Sequence, residues 1–269
     1  MRAIPIDRQR SKWGRMTFIF ELPIYLSFVA FAVLGIVFYG VGRFALDMLS
    51  KHAASDALSI PIGAFIGTIA TAWALSLGFV AADIWSVNSR ADQAVSEERS
   101  AISRLIGTSN AEILAAPALT TALTGYRRAV IDDEWRDKIN VEPAGSVETA
   151  LQDIRREIIN LARTDVPSPV ISQLINDFDE LQDARNTRLA VGSTSIDYYK
   201  WYLVLSLTFL TAITIAATHA DRVRAGVKAL VIYSLTASFC LWILAIHANP
   251  YQGLERLEPS LLFTSHKHR

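Results

Sequence analysis

The chain has 269 residues, 51% hydrophobic and 19% charged, with a formal net charge of zero and a single cysteine, Cys240. It is too apolar for an average soluble domain and too charged to lie wholly in a bilayer, so a mixed membrane protein is expected. Neutral balance, with no clustered basic face interleaved with aromatics, argues against a nucleic-acid binder. One cysteine makes neither an intrachain disulfide nor a cysteine metal cluster.

The first 17 residues form a basic segment carrying Arg2, Arg8, Arg10, Lys12 and Arg15. The apolar run that follows is too long for a signal-peptide core and lacks a clear small-residue cleavage site, so a retained first span is predicted over about 18–41. Trp13 and Tyr39 stand near the expected interfaces, Glu21 at the headgroups, and Pro23 early, where a missing backbone donor does least harm. A short polar connection is expected over 42–59.

The second span, 60–85, is apolar for most of its length, and its 26 residues reach roughly 39 Å at about 1.5 Å per residue. That crosses a core of about 30 Å with some tilt. At 100° per residue Gly63, Gly67, Thr71, Ala74, Gly78 and Ala82 fall on a small face, the spacing that lets helices pack closely in lipid. Ile62, Phe65, Ile66, Ile69, Trp73 and Val80 fall on a bulky face, which meets lipid, further protein or a pore. Phe65, Ile69, Ala72, Ser76 and Asp83 form a rough column. Repeated around an axis, that column gives an apolar constriction ending in an acidic ring.

Residues 86–200 read as helices throughout, giving an all-α protein. An apolar stripe of Ala91, Val95, Ile102, Leu105 and Ile106 predicts that the second span continues as one long amphipathic helix. A helix after Pro117 carries Tyr126, Val130 and Trp135 and ends near Asn140, and 141–145 reads as a loop. Another is expected after Ser146 as N-cap, and another with Ser168 as N-cap and Pro169 in its first turn. Asp177, Asp179, Glu180 and Asp183, interleaved with Arg185 and Arg188, read as a solvated face, as do Asp132 and Asp133. Spans three and four are predicted over about 201–218 and 229–248, joined by the turn 219–228, with a tail over 249–269. Thr208, Thr211, Thr214 and Thr218, with Ser234 and Ser238, are read chiefly as self-satisfied hydroxyls or helix glue, with a polar lining as the alternative.

Four spans put both termini on one side, and the count of Lys and Arg near span ends favours the cytoplasm for the termini and the central block. No phosphate loop, nucleophile elbow or HExxH appears. His266 and His268 lack further ligands. No enzyme activity, metal or cofactor is expected.

Two spans, a helical block, two further spans and a short tail resemble the bestrophin architecture, and more closely the bacterial bestrophin-like family. The residues that carry the likeness are Leu77-Gly-Phe, Glu97-Glu-Arg-Ser-Ala-Ile, Tyr126 with Glu134-Trp135, Asp183-Ala-Arg-Asn-Thr-Arg-Leu and Asn249-Pro-Tyr-Gln-Gly. Bestrophins are pentameric anion channels whose second spans line the pore. The resemblance implies a homo-oligomer in the lipid bilayer of the inner membrane, a pentamer if fully bestrophin-like, with Phe65 and Ile69 in the neck. Two departures stand out. Only Glu255 and Glu258 follow the fourth span, so a calcium clasp is not implied, and an Asp83 ring favours cations, leaving the permeant ion open. The alternative is a non-conducting membrane scaffold or sensor whose helical domain binds a protein partner.

Overall fold

A computed structural model describes residues 23–52, 62–193, 198–252 and 256–262, which are mostly helical with no strand among them. The basic segment and Trp13 lie outside the described residues. In chain order the helices are α1 (Ile24–His52), α2 (Ile62–Ser109), α3 (Pro117–Ala129), a π-helical segment (Val130–Asp137), α4 (Gly145–Leu161), α5 (Ser168–Ser193), α6 (Tyr198–Thr218), α7 (Val223–Ile246) and a short 3-10 turn (Pro259–Leu262). Four of them, α1, α2, α6 and α7, are long and apolar enough to cross a membrane.

The chain divides into two compact units, 1–85 with 196–248, and 86–195 with 249–269. In the first, α1 packs against α6 and α7 around Phe38, Leu46, Val204, Ala212, Leu230 and Leu241, all fully buried. Phe38 meets Phe209 edge-on with ring centroids 4.8 Å apart. In the second, inward faces at helical spacing close one core: Ala91, Val95, Ile102 and Leu105 of α2, Leu119, Leu123 and Tyr126 of α3, Val147, Leu151, Ile154 and Ile158 of α4, and Leu174, Phe178 and Leu181 of α5. Burying each large apolar side chain contributes about 1.5–3 kcal/mol. Tyr251 and Leu262, from beyond α7, complete that core.

Several expected boundaries move. The predicted connection from 42 is helix as far as His52, because its polar residues serve the helix: Arg43 pairs with Asp47 one turn on, and Leu46 is fully buried. Residues 53–61 lie outside the description. The turn between the last two spans is shorter than expected, since α7 already begins at Val223. Ser146 does not cap α4. Ala144 in extended backbone is the N-cap, and Ser146 Oγ donates to Asp133 instead. At α5 the carbonyl of Pro167 takes the first amides, those of Val170 and Ile171.

Candidate functional site

The membrane part of α2 turns one stripe to its own chain. Trp73, Leu77, Val80, Ala81 and Ile84 pack there, Trp73 Nε1 donates to Thr208 Oγ1 at 2.9 Å, and its ring stands edge-on to Tyr233. Trp73 and Val80, from the bulky face, are thus committed within the chain. The candidate lining residues flank that stripe: Ile69 and Ser76 are half-buried, Ala72 is exposed, and Asp83 accepts from Lys200 Nζ at 2.8 Å. Gly67, Thr71, Ala74 and Gly78 are exposed, and a Cβ added at Gly67 or Gly78 would meet nothing within 4 Å. For Gly63 and Phe65 the backbone alone is described, as part of the helix.

Asp83 is not a bare carboxylate. Its partner stands at the start of α6 and is 42% exposed against 43% for the acid, so the pair is reachable by solvent and near-neutral in sum. The acidic ring expected from the sequence becomes a ring of ion pairs if the helices surround an axis.

The second unit holds a buried charged cluster. Arg188, fully buried, donates from Nε to Glu98 Oε2 at 2.6 Å, from Nη2 to Glu134 Oε2 at 2.8 Å, and from Nη1 to the Asn140 side-chain oxygen. Arg185 grips the other side of Glu134 through Nη2 at 2.5 Å and Nε at 3.1 Å, and reaches Glu148 through Nη1 at 2.8 Å. Tyr126 gives its phenolic proton to Glu98 Oε1 at 2.6 Å, and Glu134 also accepts the Ala144 amide at 3.1 Å. The Trp135 ring lies against the Arg188 guanidinium, 5.5 Å from its centroid, and meets Tyr251 edge-on at 5.6 Å. Two arginines face two fully buried carboxylates, so the cluster is nearly charge-neutral, which is what makes burial tolerable.

These neighbours set the titrations. Burial pushes the Glu134 carboxyl up, but hydrogen bonds from Arg185 and the charge of Arg188 outweigh it and hold the group below the usual carboxylate range. Burial and the adjacent Glu98 charge push the Tyr126 phenol well up. Arg188 is pushed up, Glu98 overcoming the opposing effect of burial.

Backbone geometry serves the same cluster. The π-helical segment places Glu134 and Trp135 together, and wide turns of this kind gather at functional positions. Ile139 and Asn140 then both take positive φ, 52° and 56°. That is costly for a β-branched residue and turns Asn140 toward Arg188. Gly192 allows the approach: a Cβ there would lie 2.0 Å from the Asn140 carbonyl oxygen. Among the described residues no group of three or more His, Cys, Asp and Glu is placed to hold a metal ion.

Glu98, Tyr126, Glu134, Trp135, Arg185, Arg188 and Tyr251 come from four of the motifs that carried the family resemblance, scattered along the sequence and gathered here. A family model described as the bestrophin-like domain matches residues 28–262, most of the chain. The protein belongs to the bestrophin-like family. No curated protein and no solved structure matches it. The matched region takes in most of the first apolar helix and the whole of the other three, and this bestrophin-like chain is a multi-pass membrane protein.

One sequence expectation fails at this bestrophin-like cluster. Asp177, Arg185 and Arg188 are not on a solvated face: they are 1%, 3% and 0% exposed. Asp177 accepts from Arg104 Nε at 2.7 Å, while Asp179, Glu180 and Asp183 do face solvent. The signal was in the register, because 177, 184, 185 and 188 share one helical face with Leu181. Their partners stand far away in the chain, where local charge patterning cannot see them. Glu98 and Glu134, unmarked as site residues in the sequence reading, carry the signal of lying inside those motifs.

Proposed function

We propose that the protein forms an oligomeric ion channel of the inner membrane, with the second spans of neighbouring subunits lining the pore and with the termini and helical unit in the cytoplasm. The observation that carries this reading is how little of the second span its own chain covers. Of its most apolar stretch 6% is buried, against 17% in the first span and 33% in each of the third and fourth. A helix with Gly67, Thr71, Ala74 and Gly78 uncovered at steps of four, three and four residues is built for close approach by another helix. Other copies of the chain supply it, and the column of Phe65, Ile69, Ala72, Ser76 and Asp83, on the other side of the stripe that its own chain covers, then faces the axis. Membership of the bestrophin-like family supports the oligomer, with a pentamer the stoichiometry the resemblance implies.

The test is ion flux from liposomes holding the purified protein under K⁺ and Cl⁻ gradients in turn, with Phe65→Ala as comparison. Flux altered by the substitution at unchanged assembly supports the pore. Tight vesicles holding well-folded oligomer across pH and calcium conditions overturn it and favour a membrane scaffold.

A further inference from the structure

Two outward faces of the helical unit carry opposite charge. Along α4 a shallow groove of about 290 Å³ is lined by Gln152, Arg155, Arg156, Ile159, Asn160 and Arg163. These residues recur at steps of one, three and four, so they share the side of the helix opposite the buried Leu151, Ile154 and Ile158. Arg155 is held in place, over the Phe178 ring at 5.4 Å and donating to Gln182 Oε1 at 3.3 Å. Arg156 pairs with Asp153 on its own helix, where solvent reaches both side chains. Arg163, in the turn that ends α4, has no side-chain partner among the described residues.

On α5 the side turned to solvent holds Ile175, Asp179 and Asp183 at steps of four. Asp177 and Glu180 are taken by Arg104, whereas the carboxylates of Asp179 and Asp183 have no partner among the described residues. Ile159 and Ile175 are 47% and 46% exposed. Each face thus sets an open isoleucine among charges of one sign, an apolar patch with a charged rim, which is the anatomy of a protein interface.

We infer that α4 of one copy of the chain docks on α5 of a neighbouring copy, with Arg156 and Arg163 taking Asp179 and Asp183 and the two isoleucines packed beside them. The inference rests on the oligomer proposed above and says which surfaces of the helical unit join it. Charge complementarity selects the occupant. Residues 86–195 hold more acidic than basic residues, so the α4 face is a basic island on an acidic unit. An anionic bilayer repels such a unit as a whole. A single phosphate fits poorly, because Arg156 and Arg163 stand roughly 10 Å apart along the helix. Another copy's α5 supplies two carboxylates about 6 Å apart along its axis, within the span of two long arginine side chains. Since the two faces are unlike, the contact runs head to tail, the kind that repeats around an axis into a ring. A central pore needs that symmetry.

The experiment uses the full-length protein in detergent, its oligomer followed over a dilution series by size exclusion with light scattering. Reversing the basic face (Arg156→Glu/Arg163→Glu) or the acidic face (Asp179→Arg/Asp183→Arg) should each weaken the oligomer about tenfold. Combining all four substitutions should restore most of it, because opposite charges meet again. High salt should narrow the gap between the parent and either reversed face. Asp92→Arg/Glu112→Arg, at exposed acids elsewhere on the unit, should not rescue the reversed basic face, which separates a specific contact from net charge. Circular dichroism should stay unchanged throughout, all the substituted residues being exposed. An oligomer indifferent to both reversals, no recovery in the fourfold variant, or equal rescue through Asp92 and Glu112 would each overturn the contact and leave the proposed oligomer standing. A parent that is monomeric at every concentration would overturn both.

Discussion

Lys200 Nζ lies 2.8 Å from Asp83 Oδ2, joining the start of the third span to the end of the second across 117 residues of sequence. The proposed pore ends at this pair, so its charge can be unbalanced in either direction. Lys200→Gln should raise cation over anion permeability and Asp83→Asn should lower it, each by about fivefold, the effect of about 1 kcal/mol from one charge at close range in water. The double variant should return close to the parent. Reversal potentials in asymmetric KCl measure all three, and a ratio indifferent to both substitutions would place the pair away from the ion path.

Arg188→Met should destabilise the helical unit by about 3–5 kcal/mol, since it leaves Glu98 and Glu134 buried without their shared partner. Combining it with Glu98→Gln should cost less than the sum, because the second change removes a stranded charge. Thermal unfolding in detergent, followed by circular dichroism, reads both.

Stability should fall at both ends of the pH scale. Glu134 is held below its unfolded value, so its contribution is present above about pH 4.3 and is lost as pH falls through the lower folded value. Tyr126 is held above its unfolded value, so its contribution is present below about pH 10 and is lost as pH rises beyond it. Tyr126→Phe should weaken the alkaline limb while costing about 1–2 kcal/mol at neutral pH for the lost hydrogen bond to Glu98. The rest of that limb comes from Tyr251, whose phenol burial in the same core also pushes up. A midpoint titration from pH 3 to 11 tests the pair, and an unchanged alkaline limb in the variant would refute the assignment.

Gly192→Ala should cost about 1–3 kcal/mol by overpacking, since the new methyl meets the Asn140 carbonyl at 2.0 Å. Gly125→Ala is the control: its Cβ enters open space within α3, and it should stabilise by about 0.5–1 kcal/mol. Urea midpoints of the two variants should move in opposite directions.

Much of this fold was legible because bilayers and helices impose periods on sequence. The four apolar helices, the run of α2 from Ile62 to Ser109, and the break before Pro169 follow from hydropathy and punctuation alone. The self-bonded threonines of α6 were legible for the same local reason. What stayed hidden depends on residues far apart in the chain. Nothing local to Arg188 announces Glu98, 90 residues earlier, and charges beside it argue for solvent until the whole face is buried together. The paired strain at Ile139 and Asn140 was equally silent, because its compensation comes from Gly192.

The core of the helical unit is sealed by a piece of chain made after the last two membrane helices. Tyr251 and Leu262 are buried in it, and Arg127 Nη2 holds the Leu262 carbonyl at 2.8 Å. Two membrane helices are synthesised between the body of this unit and its closing segment, so a ribosome must deliver both before the hydrophobic gap beside Trp135 is filled. A chain interrupted anywhere in α7 would carry α3, α4 and α5 with an open apolar wound, the kind of surface that chaperones and proteases read. Closure of this core thereby reports that both of those helices have been made.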